Sequence, residues 1–519
     1  MSDTHQDAHE ISRRAVLKSA AIGGAAFVAG GTVLTGCASD LQLHSVELLE
    51  AKGEWLSKRV WCLSGNKVLS AGAGSPMVAT TAARQIYRPR SAEEISCVVR
   101  SLPANTAIAC VGGGHESSNV AAFASSEAIV LDMAHLKSIE FRDDDQGTLV
   151  TVGAGVVFRE LVEALKVHHG ALPVGTGPGV GVVGFLVNGG LSGYFSRRLG
   201  LLGQRVEGMT IVTAAGDIRV LTRADELLTA MLGAGSALAI VVDVTIRMAN
   251  EKVVQLAEQR VMAFESRAQA VEFSRGAVRF LRDRVLSNPS VSVEVVVTGT
   301  KVIVATLVFY DSFQGSAAEF VKPLEELAAG MKLPVVAQAH WTSWYETASA
   351  LWPVINGQKG DPLATLQHCF GTEGMPADQH LDFVCDTVVG QSPLDEAELS
   401  IIEIRTLGGA ALSGAKVPSG NCQHTFFVNL VTLYDAKPKT PQQRQEIVEL
   451  TKRVVDKARL VEGLNVDFSG THSQADDLDR STAAAEMFGS EALAQTVKAM
   501  KSKMDPDNRL RFHPFAKFL

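Results

Sequence analysis

Two glycine-rich stretches, at residues 111–119 and 175–193, are the segments of this sequence that most directly imply chemistry. Glycine backbones can crowd their N–H groups around an oxyanion, because no Cβ obstructs the approach and positive φ angles are accessible. Neither stretch contains the G-x-x-x-x-G-K-[ST] signature of a P-loop, and the first lacks the G-x-G-x-x-G spacing of a Rossmann site. The pair therefore predicts a pyrophosphate-binding site of another kind.

Short strands and helices must position these stretches. The apolar run 107–111 predicts a strand that ends in the first glycine turn, and Ser91 with Glu94 predicts a capping box that opens an amphipathic helix before it. Further strands are predicted at residues 128–132, 149–153, 210–213, 218–221 and 240–248, and Phe158, Leu161, Val162 and Leu165 recur at helical spacing. This alternation indicates an α+β or α/β fold for residues 84–250.

In their order along the chain, these segments resemble the para-cresol methylhydroxylase-type FAD domain of the vanillyl-alcohol oxidase and berberine-bridge-enzyme superfamily. The resemblance covers about residues 84–250 and the C-terminal tail. Its landmarks are residues 112–115 after a strand, Asp132 at the end of the next strand, and the segments 152–155, 172–175, 196–201 and 215–217. It implies an α+β fold with two lobes, an FAD-binding domain and an antiparallel-sheet substrate domain.

The glycine-rich pattern of the sequence stops near residue 250, and we expect the boundary between the lobes there. We expect a signal segment at 1–37, an N-terminal segment at 38–83, the FAD-binding domain at 84–250, the substrate domain at 251–455, and a C-terminal segment at 456–519 that returns to the FAD domain.

The resemblance implies that the FAD is attached covalently through His115. A neutral imidazole nitrogen can attack the electrophilic 8-methylene of a flavin tautomer if the glycine turn holds it at the ring edge. The alternative is an unlinked histidine that caps a phosphate turn. The residues expected to contact the cofactor are Gly112, Gly113, Gly114, His115, Glu116, Ser117, Gly175, Thr176, Gly177, Val180, Gly181, Gly184, Asn188, Gly189, Gly190, Gly193 and Ile240.

Two further positions refine the expected flavin chemistry. Some family members attach the flavin a second time through a cysteine at the position of Gly177, so this sequence implies a single attachment. Val180 resembles the family position that controls access of oxygen, and a side chain of this size is compatible with an oxidase.

The sequence departs from the family at the residue often credited as the catalytic base. A tyrosine is usual where this chain has Asn465, an aspartate is usual at Gln204, and residues 235–240 replace a glycine-rich turn. An alcohol must lose its proton to a group within hydrogen-bond reach, so we consider Asp467, His424 and Tyr345 as catalytic candidates. Each has a structural alternative: a turn-capping carboxylate, a core histidine bonded to backbone, and a member of an aromatic cluster that packs a helix into the core.

Three functions stay open at this level. The first is an oxidase that removes a hydride from a carbon bearing a hydroxyl or amine, in an alcohol, sugar or amine substrate, and passes the electrons to oxygen. The second is a dehydrogenase that passes them to a quinone or cytochrome. The third is a flavin-binding protein without turnover, serving a binding or accessory role.

The N-terminus resembles a bacterial twin-arginine export signal. Arg13 and Arg14 precede an apolar run that ends in residues 34–37, which look like a lipobox, so Cys37 would carry a lipid anchor. The alternative is a membrane-spanning helix, but about 16 apolar residues are fewer than the roughly 20 needed. We therefore expect an exported protein, periplasmic or membrane-anchored as a lipoprotein.

Composition limits the partners. The net charge is -8, and the sequence has no run of basic residues that could follow a phosphate backbone, so nucleic acid is not expected. The seven cysteines show neither CxxC spacing nor clustering with histidine, so no metal site is expected. The expected partners are a small-molecule substrate and oxygen or another electron acceptor.

Overall fold

The computed structural model describes residues 46–49, 62–64, 84–115, 127–299, 301–352, 363–397, 399–414, 417–434, 440–469, 483–512 and 516. The predicted signal segment with Cys37 and the predicted cofactor residues Glu116 and Ser117 lie outside these ranges. The strands are β1 (Glu47–Leu48), β2 (Cys62–Ser64), β3 (Gln85–Arg88), β4 (Ala107–Val111), β5 (Ala128–Asp132), β6 (Ile139–Asp144), β7 (Gly147–Gly153), β8 (Gly170–Ala171), β9 (Val206–Val212), β10 (Ile218–Thr222), β11 (Ile240–Arg247), β12 (Ala249–Asn250), β13 (Val254–Ala263), β14 (Val291–Thr298), β15 (Val302–Tyr310), β16 (Val335–Trp341), β17 (Leu363–Thr372), β18 (Leu399–Thr406), β19 (Phe426–Tyr434) and β20 (Asn465–Val466).

The helices are α1 (Ala92–Ser101), α2 (Phe158–Val167), α3 (Val182–Val187), α4 (Ser196–Leu199), α5 (Glu226–Ala234), α6 (Arg267–Phe280), α7 (Ala318–Gly330), α8 (Trp344–Ser349), α9 (Asp378–Asp382), α10 (Ala410–Ser413), α11 (Pro441–Ala458), α12 (Ala483–Phe488) and α13 (Glu491–Met504). Two π-helical turns, Leu281–Val285 and Phe383–Val389, continue α6 and α9.

A small sheet at the start of the first lobe carries the first glycine turn. Its strand order is β1-β3-β5-β4, in which β3, β5 and β4 are parallel. Helix α1 begins at the predicted cap, where Ser91 accepts a hydrogen bond from the N–H of Glu94 at 3.2 Å. Its apolar side, including Ile95, Val98 and Val99, is buried, and this apolar periodicity is what predicted the helix from the sequence.

The second sheet of this lobe is antiparallel, with the strand order β10-β9-β11-β7-β6. The strands predicted for this region are all present. Strand β6 was not predicted, because only Ile139 and Phe141 in it are apolar and the rest is polar. It is held by its pairing with β7, in which Phe141 lies opposite Val150.

The second lobe is built on a larger sheet. Its order is β16-β13-β15-β14-β18-β19-β17-β2, and β20 also pairs with β17; among these pairs only β17 with β2 is parallel. One face is apolar, through residues such as Val293, Val295 and Val297, and belongs to the same core cluster as residues of α6. The expected two-lobed α+β fold with an antiparallel second sheet is confirmed.

Arg197 joins the two lobes. This buried side chain on α4 donates hydrogen bonds to five backbone carbonyl oxygens of the second lobe. Its acceptors are Val291 at 2.9 Å, Val285 at 3.0 Å, Leu286 at 2.8 Å, Asn288 at 3.0 Å and also Leu407. Because α4 follows the second glycine stretch directly, this contact fixes that stretch against the second sheet.

The C-terminal segment contacts both lobes. Strand β20 extends the second sheet, whereas the buried guanidinium of Arg509 donates to the carbonyl oxygens of Val99, Thr106 and Ala214 in the first lobe. In the part of the chain that is described, no helix is both long enough and apolar enough to cross a membrane.

Candidate cofactor and active site

The two glycine stretches meet through their backbones. A Cβ on Gly181 would lie 2.5 Å from the backbone nitrogen of Gly113, and a Cβ on Gly113 would lie 2.7 Å from the carbonyl oxygen of Gly179. Gly114 has a φ of +75°, in the region that glycine adopts at little cost. The absence of side chains therefore serves first to let two turns, far apart in sequence, pack directly against each other.

A cavity of about 170 Å³ lies beside these turns. Strand β4 and helix α3 each supply four of its lining residues, and the glycine turns and neighbouring elements supply the others. It is lined by Ile108, Ala109, Cys110, Val111, Gly112, Gly113, Gly114, His115, Met133, Ala154, Val180, Gly181, Val183, Gly184, Phe185, Val187, Asn188, Val241 and Leu510. The wall is mostly apolar, with exposed backbone at the glycines and an imidazole at one point.

The cavity fits a cofactor with a phosphate-bearing chain. Gly184 lies within α3, and a Cβ built on it would have no atom within 4 Å. A glycine that faces open space has no packing reason to lack a side chain. Its absence leaves room in the cavity and exposes backbone to whatever is bound there.

Several predicted cofactor residues line this cavity, namely Gly112, Gly113, Gly114, His115, Val180, Gly181, Gly184 and Asn188. Others are described but do not line it, namely Gly175, Thr176, Gly177, Gly189, Gly190, Gly193 and Ile240. Some of these glycines have a packing role, since a Cβ on Gly175 would lie 2.8 Å from the ring of Phe158 and one on Gly190 would lie 2.7 Å from Leu202. Their contact with a cofactor stays a prediction.

Sequence reasoning did not select the apolar part of the wall. Ile108, Ala109 and Cys110 belong to β4, and a signal for them existed, because this strand delivers the glycine turn. Ala154 lies in the landmark segment 152–155 but was not assigned to the site. Leu510 gave no local signal, since it reaches the cavity only through the C-terminal segment.

His115 has the properties of a neutral nitrogen nucleophile. His115 is exposed and lines the cavity. Its side chain is therefore accessible from the cavity, while other protein atoms surround the rest of the residue. Desolvation by that protein lowers the pKa of His115, and a backbone hydrogen bond opposes this only in part. The ring is therefore neutral at pH 7.

The candidates His424 and Asn465 form one hydrogen-bonded group. Nδ1 of His424 bonds to the carbonyl oxygen of Gly420 at 2.7 Å, and Nδ2 of Asn465 bonds to Nε2 of His424 at 2.9 Å. The imidazole stacks on Phe468 with ring centroids 3.5 Å apart. Burial lowers the pKa of His424 to about 4, so the ring is neutral, with its proton on Nδ1 and an acceptor at Nε2. Asn465 also lines a second cavity, together with Arg459, Leu464, Val466 and Glu486.

Asp467 is held by protein groups. Its carboxylate lies 3.2 Å from Nδ1 of His368 and accepts the N–H of Cys369 at 3.3 Å, and the residue is fully buried with a φ of +55°. These contacts match its alternative reading as a structural carboxylate.

Tyr345 lies on α8, against α2. Its hydroxyl donates to the carboxylate of Glu163 at 2.5 Å, and the ammonium of Lys166 lies 3.8 Å from its ring centroid. Partial burial and Glu163 raise its pKa, which opposes formation of a phenolate. Neighbouring Trp344 is fully buried and donates its Nε1–H to Leu172, as expected for an aromatic cluster that packs the helix. Among the described residues, these contacts of Tyr345 are with α2, and the contacts given above for His424 and Asp467 are with other groups again.

Two further polar side chains, Gln204 and Arg405, are held by specific contacts. Gln204 accepts the N–H of Leu201 at 2.8 Å and donates to the carbonyl oxygen of Ala411 at 3.0 Å, so it fastens the turn that precedes β9. Arg405 on β18 contacts the carboxylates of both Glu403, at 2.8 Å, and Glu294 on β14. Within the described residues, no cluster of acidic, histidine and cysteine side chains could hold a metal ion.

Comparison with known proteins supports a flavoprotein fold. Residues 83–222 match the family model described as an FAD binding domain. The chain is 32% identical over 164 residues to the FAD-linked oxidoreductase tazG of Aspergillus terreus. This alignment covers 31% of this chain and 32% of that protein. It is 32% identical over 138 residues to (R)-6-hydroxynicotine oxidase of Paenarthrobacter nicotinovorans, covering 26% and 29%. The match thus spans about a third of the length of these curated relatives.

Solved structures extend the similarity over both lobes. A chitooligosaccharide oxidase has a TM-score of 0.69 at 15% identity, over 91% of this chain and 96% of that one. A 6-hydroxy-D-nicotine oxidase from Arthrobacter nicotinovorans has a TM-score of 0.66 at 20% identity, over 93% and 99%. The chain therefore has the two-lobed fold of these flavin oxidases, and its FAD-binding domain includes residues 83–222.

Proposed function

We propose that this chain is an FAD-dependent oxidoreductase that carries its flavin on His115 and oxidises an alcohol, sugar or amine. The observation that carries the proposal is that both glycine turns and His115 line the same cavity. The matched FAD binding domain and the oxidases named above support it.

Each part of the cavity has a role in this proposal. The backbone N–H groups around Gly112, Gly113 and Gly181 would hold the pyrophosphate, and the space beside Gly184 would admit the ribityl chain. The neutral ring of His115 would hold the flavin through a ring nitrogen. When bound, FAD supplies the acceptor for a hydride removed from the substrate.

The proton that leaves a hydroxyl or amine needs an acceptor. Of the three candidates we propose His424, because its ring is neutral and its Nε2 faces Asn465, which borders the second cavity. In the structure this Nε2 accepts a hydrogen bond from Asn465, which would have to turn aside for a substrate. Asp467 is instead fully buried, and the raised pKa of Tyr345 opposes a phenolate. With a pKa of about 4 the ring is unprotonated at neutral pH, and this pKa lies well below the value that general-base catalysis favours.

We also propose that the electrons pass to oxygen and that the protein is exported by the twin-arginine route, with a lipid anchor on Cys37. Val180 beside the glycine turn and the oxidase relatives support the first proposal, and residues 12–37 support the second. The N-terminal mass of the mature protein, taken from a membrane fraction, tests the export proposal.

The activity test uses purified protein and a panel of alcohols, sugars and amines. Anaerobic bleaching of the flavin absorbance by a member of the panel supports an enzyme, whereas no bleaching by any class contradicts it. Peroxide release on admission of air supports an oxidase. Bleaching without peroxide, followed by reoxidation by a quinone, assigns a dehydrogenase instead.

A further inference from the structure

Asn421 has a buried side chain whose polar atoms lack partners. It lies in the 3₁₀ turn Gly420–Cys422, and its exposed fraction is 0%. Among the described residues, neither its Nδ2 nor its Oδ1 has a hydrogen-bond partner. Asn429, also buried, shows the usual arrangement, since its Nδ2 donates to Glu403 at 2.6 Å and its Oδ1 accepts from Gln367 at 3.3 Å.

An amide buried in this way is unfavourable, because both atoms lose their hydrogen bonds to water and gain none in return. Buried polar groups in native proteins are almost always satisfied, so an exception calls for a partner that the polypeptide does not supply. The backbone around Asn421 makes hydrogen bonds of its own, since Ser419 caps the turn and accepts the N–H of Asn421. The unpaired carboxamide is therefore held in place rather than left by an irregular loop.

The position of Asn421 links it to the cofactor cavity. A Cβ on Gly189 would lie 3.6 Å from Nδ2 of Asn421 and 2.6 Å from Oγ of Ser419. Gly189 follows Asn188, which lines the cavity, and it has a φ of +100°. The carboxamide thus lies against the turn that ends α3, one residue beyond the cavity-lining Asn188.

We propose that Asn421 hydrogen-bonds a ring of the bound FAD through both atoms of its carboxamide. The inference rests on the proposed FAD site. A pyrophosphate offers only acceptors and would leave Oδ1 unpaired. Both ring systems of FAD offer a donor beside an acceptor, an N–H with a carbonyl in the flavin and an amino group with a ring nitrogen in adenine. A carboxamide pairs with either edge in the same plane.

The test compares melting temperatures of FAD-loaded protein and of apoprotein from a riboflavin-starved host. In Asn421→Leu, the apoprotein should melt at or above wild type, because the unpaired amide is gone. The FAD-loaded form should melt lower, so the gain on loading shrinks by roughly 2–4 °C. Asn429→Leu is the matched control, in which both forms should lose stability together and the gain should persist.

The outcomes separate the two proposals. Wild-type protein that takes up no FAD defeats the proposed function, whereas an unchanged gain in Asn421→Leu, with FAD bound, overturns only this inference and leaves an internal water as the partner. A shift of the flavin absorption bands with the smaller gain assigns the flavin ring, and an unshifted spectrum assigns adenine. If Asn421→Leu does not fold, isosteric Asn421→Asp, which lacks the donor, should show the same smaller gain.

Discussion

Replacing Gly184 by leucine separates the stability of the fold from the capacity of the cavity. Gly184 lies in the interior of α3, where leucine is more favourable than glycine by about 0.8 kcal/mol. A Cβ there meets no atom within 4 Å, so the new side chain causes no clash with the protein. We expect the free energy of unfolding of the apoprotein to rise by about 0.5–1 kcal/mol.

The same side chain would project into a cavity of about 170 Å³. Flavin content, read from the absorbance of acid-precipitated protein, should therefore fall below roughly a tenth of wild type, because covalent attachment requires the flavin to bind in this cavity first. Gly330→Leu is the control, because its Cβ also meets nothing within 4 Å and it ends α7 away from the cavity. Full flavin content in Gly184→Leu, or a loss of apoprotein stability, would refute the reasoning.

Three further variants test other parts of the account. Gly113→Ala should lower both flavin content and apoprotein stability, by about 1–3 kcal/mol in thermal melts, because the new methyl group forces it away from the backbone of Gly181. His424 should make the fold sensitive to acid, because burial lowers its pKa to about 4 from the ordinary value of 6.5. Between these two pH values the unfolded chain binds a proton that the folded chain does not. The free energy of unfolding therefore falls as pH drops through that window. The loss is at most about 3 kcal/mol, and urea unfolding at pH 6.5 and 4.5 should show a smaller loss in His424→Gln. Tyr345→Phe should keep kcat within about twofold, whereas a decrease of 10²-fold or more would identify Tyr345 as the base.

The parts of the fold predicted best were those with a local signal. The cap at Ser91 and the apolar side of α1 are contiguous in sequence, and β4 could be predicted because its apolar run ends in a glycine turn. Strand β6 has no such signal, because pairing with β7 rather than its own apolar pattern stabilises it. Local periodicity therefore identified elements that bury their own side chains and missed one that a neighbour holds.

The site was predicted in part for the same reason. Gly113 and Gly181 are conspicuous in the sequence, yet their direct contact depends on the packing of β4 against α3. Leu510 reaches the wall because Arg509 fastens the C-terminal segment to the first lobe. Asn421 became informative only when burial showed its amide without a partner, which composition cannot reveal.

The most direct test of the central claim is the mass of the tryptic peptide that contains His115, residues 101–137. Protein from a host supplied with riboflavin should yield this peptide heavier by one flavin nucleotide, with fragmentation placing the addition on His115. The peptide should be unmodified in His115→Ala. A wild-type peptide of unmodified mass from colourless protein would contradict the claim that the glycine turns and His115 form a flavin site.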